Sequence, residues 1–545
     1  MDSEIDIRKY NPNSYKKLFS EFKWNIPIQF NIAEAICDRH TKNKNQIAIY
    51  YHENYDTITK HTFLSIQSQA NQLCNLLQEL GIKKGDRIAI MLSQSPNMAI
   101  SLISTYKIGG IALTISHLAG SEALKYRLTN SESKILITTS DIINKFKSVL
   151  ENIKTLKFII VDSELKENNY INFEELSNFS TNFKTVKTLA NDPAHLLYSS
   201  GTTGSPKGIL HAHRLLLGLI PCWQLNYGLA PKEKDVFWGP AEWAWLGGIG
   251  NLIYPAWYFG MPVVATSRTT IFNPESALSI IEKNKVTACY FVPTVLRMIR
   301  KKIIFPQKKY DLSSLRVIVA GSEIVGTDII NWCNQDLKVP LNELYGLTES
   351  PPVLSTCSEL SRIKSGSIGS PAPGHQVEIL NQNGKINSSE EIGEIVIEKN
   401  TPVMFLGYWQ NPEATKNKFL DEWFLTGDLG YKDKDGYFWF ISRKDDMIKS
   451  SAYRIGPGEI ETVLNQYHAI LESAVIGKPD KLRGSIIKAF IVLKPQYQNN
   501  ENMVNDIMQF VKNRLATYAY PKEIEFIDTL PKTSNGKIKR YLLKN

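Results

Sequence analysis

Short apolar runs alternate with helical patterns over most of the chain. Residues 88–92, 134–138, 158–161 and 317–320 are β-rich runs, each near a segment whose apolar residues have helical spacing. This alternation is typical of an α/β architecture in which helices cover largely parallel sheets. From about residue 384 to 440 the strands become shorter and are broken by Gly, Asn and Asp, which predicts a small β-barrel or sheet.

The pattern changes again near residue 445. A helix is expected to begin at Pro457, strands are expected at 473–476 and 489–493, and apolar residues recur at helical spacing from Val504 to Leu515. These features predict a smaller α+β unit. We therefore predict a large multilayer N-terminal domain of residues 1–444, with the β-rich subdomain at about 384–440, and a mobile C-terminal domain of residues 445–545.

Composition narrows the class of protein. The chain has 545 residues, 43% of them hydrophobic, and a formal net charge of +9, which together exclude a disordered or collagen-like protein. No run of Lys and Arg is dense enough to indicate a nucleic-acid or membrane patch, so no nucleic-acid partner is expected. The six cysteines form no C-x-x-C pair, and reduced thiols in a cytoplasmic protein are expected. The N-terminus is acidic, and the apolar stretch 215–223 is too short to span a bilayer.

Residues 198–208, Y-S-S-G-T-T-G-S-P-K-G, combine the groups that hold phosphate. Glycines let backbone N–H groups turn inward, Ser and Thr hydroxyls donate to phosphate oxygens, and Lys207 adds a positive charge. The segment is not a Walker A loop, because the lysine follows Pro206 and Gly208 replaces the metal-binding Ser or Thr. A flexible linker is the alternative, and the strand-like run 194–197 before it and the helical pattern from His213 disfavour that alternative.

Three further segments carry chemistry: Y-G-L-T-E at 345–349, T-G-D at 426–428 followed by R-K-D-D at 443–446, and P-K-T-S-N-G-K at 531–537. Glu349 is a hard oxygen ligand suited to Mg²⁺, and Asp428 can accept from both hydroxyls of a ribose. Taken singly, T-G-D is also ordinary turn chemistry between strands. The pair His211 and His213 lacks a third ligand at metal spacing, so no metal is expected there.

In this order the four segments resemble the signatures of adenylate-forming enzymes, a superfamily of acyl-CoA synthetases, peptide-synthetase adenylation domains and luciferases. The resemblance runs from about residue 30 to the end of the chain. It implies ATP and CoA as substrates and Mg²⁺ at Glu349. The nucleotide-binding residues that it implies are Ser199, Ser200, Gly201, Thr202, Thr203, Gly204, Ser205, Lys207, Ser322, Glu323, Glu343, Leu344, Tyr345, Gly346, Leu347, Thr348, Asp428, Arg443 and Arg454.

The resemblance also implies the catalytic set. Lys537 would bridge the acyl carboxylate and the α-phosphate, with Thr348, Glu349 and Lys207 as its partners in the first step. Asp445 would be the hinge about which the C-terminal domain turns before thioester formation. The residues implied to face CoA are Ser451, Ala452, Tyr453, Arg483, Lys512, Tyr520 and Lys522.

The acyl substrate is expected to be longer than acetate. The sequence is most similar to medium-chain acyl-CoA synthetases, relatives of the acetyl-CoA synthetases, and the latter carry a bulky Trp at the position of Gly346. Trp243 and Trp245 are expected to line the acyl pocket, with ordinary core aromatics as the alternative.

The sequence thus predicts an AMP-forming acid–thiol ligase that converts a carboxylic acid, a medium-chain fatty acid in the first instance, to acyl-AMP and then to acyl-CoA. Three alternatives stay open: an adenylation enzyme that delivers to a carrier protein, a short-chain or aryl-CoA ligase, and an ATP-binding module without activity. The last predicts that Lys537 or Glu349 is missing, and both are present. The sequence does not indicate an oligomeric state.

Overall fold

The structure is a computed structural model. It describes residues 5–10, 14–53, 57–162, 170–199, 206–267, 272–360, 363–450, 453–480, 484–515, 519–532 and 538–544.

The helices follow in chain order. They are α1 (Tyr15–Glu21), α2 (Ile32–Ile36), α3 (Phe63–Glu79), α4 (Pro96–Lys107), α5 (Ser121–Ser131), α6 (Ser140–Leu150), α7 (Leu215–Asn226), α8 (Leu246–Gly248), α9 (Tyr254–Tyr258), α10 (Pro274–Asn284), α11 (Pro293–Lys302), α12 (Pro306–Lys309), α13 (Thr327–Gln335), α14 (Pro412–Lys416), α15 (Pro457–Leu464) and α16 (Glu501–Lys512). A π-helical turn, Ile249–Ile253, joins α8 to α9.

The strands alternate with these helices until residue 345. They are β1 (Ile47–His52), β2 (Ile58–Thr62), β3 (Arg87–Ile90), β4 (Ile111–Thr114), β5 (Ile135–Thr138), β6 (Phe158–Val161), β7 (Ile171–Asn172), β8 (Pro193–Tyr198), β9 (Gly208–Ala212), β10 (Phe237–Trp238), β11 (Val263–Thr266), β12 (Ala288–Phe291), β13 (Val317–Ala320), β14 (Leu341–Tyr345), β15 (Leu354–Ser355), β16 (Ser370–Pro371), β17 (Val377–Leu380), β18 (Gly393–Glu398), β19 (Gly407–Tyr408), β20 (Phe419–Leu420), β21 (Trp423–Lys432), β22 (Phe438–Arg443), β23 (Ile448–Ser450), β24 (Tyr453–Ile455), β25 (Ile470–Asp480), β26 (Gly484–Leu493) and β27 (Glu523–Phe526).

Two large sheets form the main body of the protein. One has the order β16-β15-β14-β13-β12-β10-β11-β1-β2, and the other has the order β19-β9-β8-β4-β3-β5-β6-β7. Their inner strands pair in parallel, and β4, β5, β12 and β13 are buried along their whole length. Strands buried on both faces read as continuous apolar runs, which is why the sequence shows them clearly. The α/β prediction for this region is confirmed.

Smaller sheets follow in the chain. Strands β17, β18, β21 and β20 form an antiparallel sheet in that order, and β22 pairs with β21. After residue 445, β23 pairs with β24, and β25, β26 and β27 form a sheet that packs with α15 and α16 around its own apolar core. The smaller α+β unit expected from the C-terminal pattern is confirmed as a fold.

Packing explains the helix that looked most apolar. Every residue of α7 is buried, including Pro221 within it, because the helix is part of the apolar core to which both large sheets contribute. A helix that is apolar on all sides belongs in such a core. Across the described part of the chain, no helix combines the length and the apolar character that a membrane crossing needs.

Candidate active site

The loop expected to hold phosphate is closed at its base by a hairpin. Strands β8 and β9 run antiparallel, and Tyr198 lies opposite Gly208. Just beyond them, the backbone N–H of Ser199 donates to the Lys207 carbonyl (3.0 Å), and the Lys207 N–H donates to Ser199 Oγ (3.3 Å). The loop itself, residues 200–205, lies outside the described residues. A strand–loop–strand hairpin confirms that this is not a Walker A loop, which would lead directly into a helix.

The turn at residues 346–349 follows β14 and is held against this hairpin. His211 Nε2 on β9 donates to the carbonyl of Thr348 (2.7 Å), and the N–H of Phe405 donates to the carbonyl of Glu349 (2.9 Å). Burial lowers the pKa of His211 to about 4, so the ring is neutral and serves as a fixed donor. The histidine therefore positions the backbone of this turn.

Tyr408 contacts the side chains of both Glu349 and Lys207. Its strand, β19, pairs with β9, and its hydroxyl donates to Glu349 Oε1 (2.7 Å). The ammonium of Lys207 lies 5.1 Å from the centre of the Tyr408 ring. Burial, and then the Glu349 charge, raise the pKa of the Tyr408 hydroxyl, so it remains a donor. Tyr408 was not among the residues indicated by the sequence.

Asp428 lies within β21 and faces two donors. Its Oδ2 accepts from the hydroxyl of Tyr345 (2.7 Å), and its Oδ1 lies 2.8 Å from Arg443 Nη1. The aspartate is 5% exposed and the arginine 44% exposed, so the pair presents its cationic partner to solvent. Gly427 adopts a φ of +77°, which lets the strand bend without a Cβ clash. The alternative that T-G-D is a turn between strands is wrong, because all of it lies inside β21.

Arg443 interacts electrostatically with both Asp428 and Glu349. Burial acts to lower the pKa of Arg443, but the charges of Asp428, Tyr345 and Glu349 outweigh it and raise that pKa. The guanidinium thus lies within electrostatic reach of both candidate carboxylates, Asp428 and Glu349. The structure brings together Lys207, Glu349, Asp428 and Arg443, four residues from three separate sequence segments.

Glu343, on β14, is a buried acid. Burial raises the pKa of its carboxyl to about 8, and its Oε1 has no hydrogen-bond partner among the described residues. The side chain is therefore protonated at neutral pH and is able to donate as well as accept. Its neighbour Leu344 is apolar and buried, and packs against Gly321.

Ser322 and Glu323 follow β13. Ser322 has a φ of +73°, an uncommon conformation for a residue with a side chain, and its hydroxyl lies 3.2 Å from that of Tyr290. Glu323 accepts from Thr294 Oγ1 (2.8 Å) and pairs with Arg297 (2.7 Å). The exposed, strained serine is the more suggestive of the two as a ligand contact.

The candidate acyl-pocket residues lie before α8. Trp243 is fully buried in the main core, whereas Trp245 is half-buried. Thr114 Oγ1 donates to the carbonyl of Ala244 (2.9 Å) and lies 3.1 Å from His195 Nε2, which joins this segment to β4 and β8. The π-helical turn follows after α8, and such turns are often found beside functional sites.

Gly346 makes a close backbone contact. A Cβ at this position would lie 2.6 Å from the backbone nitrogen of Pro352 and 2.7 Å from the carbonyl carbon of Pro351. A larger residue would therefore need a different path for residues 351–352. Leu347, the next residue, is half-buried against the main core, and its N–H donates to the Ser350 carbonyl.

Three residues expected to face CoA meet in the C-terminal unit. The ammonium groups of Lys512 and Lys522 lie 5.7 Å and 3.6 Å from the centre of the Tyr520 ring. Tyr453 and Arg454 pair through their backbones with Ser450 and Lys449. Ser451, Ala452, Arg483 and Lys537 lie outside the described residues. Asp445 is exposed, and its carbonyl accepts from Lys544 Nζ (3.2 Å).

Comparison with known proteins identifies the family of this chain. The profile of the AMP-binding enzyme family matches residues 37–409, and that of the AMP-binding enzyme C-terminal domain matches residues 459–537. The chain is 34% identical to acetyl-coenzyme A synthetase of Bacillus subtilis (strain 168), over 98% of this chain and 95% of that protein. It is 31% identical to the mitochondrial acyl-coenzyme A synthetase ACSM3 of Homo sapiens, over 98% and 92%.

Solved structures agree. The anthranilate CoA ligase AuaEII, crystallised with anthranoyl-AMP, superposes with a TM-score of 0.87 at 30% identity and covers 95% of this chain and 97% of its own. The acyl-CoA synthetase of Brucella canis gives a TM-score of 0.76 at 27% identity, covering 98% of each chain. The fold is that of the adenylate-forming enzymes. The chain belongs to the AMP-binding enzyme family, and the relatives named here are acyl-CoA synthetases and ligases.

The buried acid Glu343 gives a testable pH dependence. Because its folded pKa is raised, its contribution to stability is full below the unfolded value of 4.5 and is lost as pH rises toward 8. We expect Glu343→Gln to remove this loss. Between pH 5.5 and 7.5, the free energy of unfolding of the wild type should fall relative to the variant by about 1.4 kcal/mol per pH unit. Urea denaturation without ligands measures it.

Glu79→Gln, at an exposed position at the end of α3, is the matched control and should track the wild type. A Glu343→Gln difference that stays constant across this pH range would show that the carboxyl is ionised in the folded protein.

Proposed function

We propose that this protein activates a medium-chain carboxylic acid in two steps. In the first, the acid's carboxylate oxygen attacks the α-phosphorus of ATP, giving acyl-AMP and pyrophosphate. In the second, the thiol sulfur of CoA attacks the acyl carbon, giving acyl-CoA and AMP. The observation that carries the proposal is the convergence of Lys207, Glu349, Asp428 and Arg443 on one region.

The nucleotide roles follow from charge and geometry. Asp428 holds the ribose hydroxyls as an acceptor whose position is fixed by Tyr345 and Arg443. Arg443 and Lys207 offset the negative charge of the phosphates. The protonated Glu343 suits a neutral base with mixed donors and acceptors better than it suits a phosphate.

Magnesium fits the carboxylate set. Mg²⁺ is usually held by one or two carboxylates together with substrate phosphates. Glu349 supplies one carboxylate, whose Oε1 is oriented by Tyr408. ATP phosphates would complete the coordination of an ion held at Glu349. When bound, it neutralises charge on the phosphates.

The C-terminal unit would supply the second set of groups. We place the boundary of this unit at Asp445. We place Lys537 beside the reacting carboxylate during the first step. A nucleotide phosphate of CoA would meet Lys512 and Lys522, which already lie beside Tyr520. Turning about Asp445 would have to release Lys544 from the Asp445 carbonyl, an exposed contact that costs little to break.

Gly346 bears on the size of the acyl group. Gly346 leaves no side chain to close a pocket, but its contact with Pro351 and Pro352 also requires glycine in this backbone. The similarity to an anthranilate CoA ligase favours an aromatic acid as the second candidate. The six cysteines are buried free thiols, which suits the reducing cytoplasm that we propose as its location.

A substrate panel tests the proposal. Pyrophosphate and acyl-CoA formation are measured with acetate, butanoate, hexanoate, octanoate, dodecanoate and benzoate. We expect kcat/KM to be highest for hexanoate or octanoate and at least about tenfold lower for acetate, since each buried CH₂ adds favourable apolar contact. A preference for acetate or benzoate would contradict the medium-chain assignment, and pyrophosphate release without acyl-CoA would indicate a carrier protein as acceptor.

Two lysine variants test the proposed role of Lys537 in the first step. Lys537→Ala should abolish acid-dependent ATP–pyrophosphate exchange, because it removes the charge proposed to join the two reacting anions. Lys539→Ala, two residues further on, should exchange like the wild type. Equal exchange by both variants would remove Lys537 from the mechanism.

Tyr408→Phe tests how Glu349 is positioned. The variant keeps the ring beneath Lys207 and loses the hydrogen bond to the carboxylate. We expect the Mg²⁺ concentration needed for half-maximal activity to rise about tenfold, the cost of one hydrogen bond to a charged group, with the KM for the acid unchanged. Tyr431→Phe, on the ring stacked with Trp439, is the control. An unchanged Mg²⁺ requirement would mean that Tyr408 does not position Glu349.

A further inference from the structure

The turn between α11 and α12 presents two large apolar side chains to solvent. Ile304 and Phe305 are adjacent, and are 74% and 61% exposed. Single exposed apolar residues are common on protein surfaces and need no explanation. Two neighbours in one turn, both more than half exposed, are a larger apolar feature. We call residues 300–309 the basic tip.

The fold holds these two side chains outward. Their flanking residues, Ile303 and Pro306, are buried, and Ile303 packs into the core beneath α11. The Ile303 N–H donates to the Ile299 carbonyl (2.9 Å), and the side chain of Gln307 donates to the Leu337 carbonyl. The turn is anchored on both sides, so exposure of Ile304 and Phe305 is a consequence of the local structure.

The charged residues within the basic tip itself are all cationic. Residues 300–309 contain one Arg, four Lys and no acidic residue. Arg300 pairs with Asp328 (2.7 Å) and Lys309 with Glu275 (2.9 Å). The remaining three, Lys301, Lys302 and Lys308, have no carboxylate within 4.0 Å in the described parts of the chain, and all are exposed. Lys308 lies 4.5 Å from the centre of the Phe305 ring.

An anionic bilayer surface complements both the lysines and the apolar pair of the basic tip. Lysines near the surface are attracted by lipid headgroups, while apolar side chains at the tip enter the boundary with the acyl chains. A purely acidic polypeptide such as polyglutamate would pair with the lysines but would offer no apolar group to Ile304 and Phe305. Counting charges along the sequence showed no membrane patch, because the feature depends on two outward apolar residues as much as on charge.

We propose that the basic tip binds the protein reversibly to membranes rich in anionic phospholipid. The contact is peripheral, with Ile304 and Phe305 inserted and Lys301, Lys302 and Lys308 at the headgroups. The proposal concerns binding alone, and it stands whether or not the enzyme prefers medium-chain acids.

Vesicle flotation with the full chain tests it. Vesicles of phosphatidylcholine are compared with vesicles that contain about 30% phosphatidylserine, a strongly anionic surface. We expect the wild type to float with the anionic vesicles, to remain behind with the neutral ones, and to dissociate at about 0.5 M NaCl, where charge is screened. Ile304→Ser/Phe305→Ser and Lys301→Glu/Lys302→Glu should each reduce the bound fraction at least about tenfold.

Two matched variants control for lost apolar area and lost charge elsewhere. Ile386→Ser/Ile392→Ser changes side chains that are 55% and 61% exposed, and Lys42→Glu/Lys44→Glu changes two exposed lysines. Both should float like the wild type. All five proteins should share a melting temperature and turn over soluble acid at the same rate, which separates this test from that of the proposed function.

Absence of wild-type flotation, or equal flotation by the tip variants and the wild type, would overturn the proposal. So would binding to polyglutamate that depends on the lysines but not on Ile304 and Phe305, which would assign the surface to an acidic polypeptide.

Discussion

The buried carboxylate of Asp428 is the constraint on which the arrangement of this site depends. A buried charge is costly unless it is paired and hydrogen-bonded, and Asp428 meets this requirement with groups from two different sheets. Tyr345 ends a strand of one large sheet, and Arg443 lies opposite Asp428 in the smaller antiparallel sheet. The Asp428 carboxylate thus joins the smaller sheet to the main body at the site, beside the apolar core that the two share.

The rest of the site is built outward from the same junction. The turn after Tyr345 carries Thr348 and Glu349, and His211 and Tyr408 hold it against the hairpin that ends in Lys207. Neutral donors act at each of these contacts, because burial keeps His211 unprotonated and Tyr408 protonated. Positive charge is left to Lys207 and Arg443, the residues whose proposed partners are phosphates. Glu349 is thus oriented by a neutral hydroxyl, whereas Asp428 is held by both a hydroxyl and the Arg443 guanidinium.

Sequence reasoning found the parts of the molecule that are local in the chain. Parallel strands buried on both faces, such as β5 and β13, are continuous apolar runs, and the helix α16 has regular apolar spacing, so each was predictable. The composition of residues 198–208 predicts a phosphate loop, and that role stays a prediction because residues 200–205 lie outside the described residues. Its return strand, β9, was not predictable, since its residues include Gly208 and His211 and its pairing with β8 depends on a loop closing between them.

Contacts between distant segments were beyond the sequence. Nothing local to Tyr408 indicates Glu349 as its partner, because the contact depends on how β19 docks beside β9. The protonated state of Glu343 depends equally on burial that only the assembled sheet creates. Gly346 shows the reverse case, in which a residue assigned to the substrate pocket also has a packing role at Pro351 and Pro352. From sequence alone, a glycine that leaves room for a ligand looks the same as a glycine that leaves room for a neighbouring backbone.

The most direct test of the account is whether Asp428 recognises the ribose of the nucleotide. Calorimetric titration would compare AMP with 2′,3′-dideoxy-AMP on the wild type, on Asp428→Asn, and on Asp433→Asn, a change in the turn between β21 and β22, where Asp433 pairs with Lys364. We expect the wild type and Asp433→Asn to prefer AMP by about ten- to a hundredfold, the worth of hydrogen bonds to a charged group, and Asp428→Asn to lose most of that preference. If Asp428→Asn discriminates between the two nucleotides as well as the wild type does, Asp428 does not hold the ribose and the proposed site is wrong.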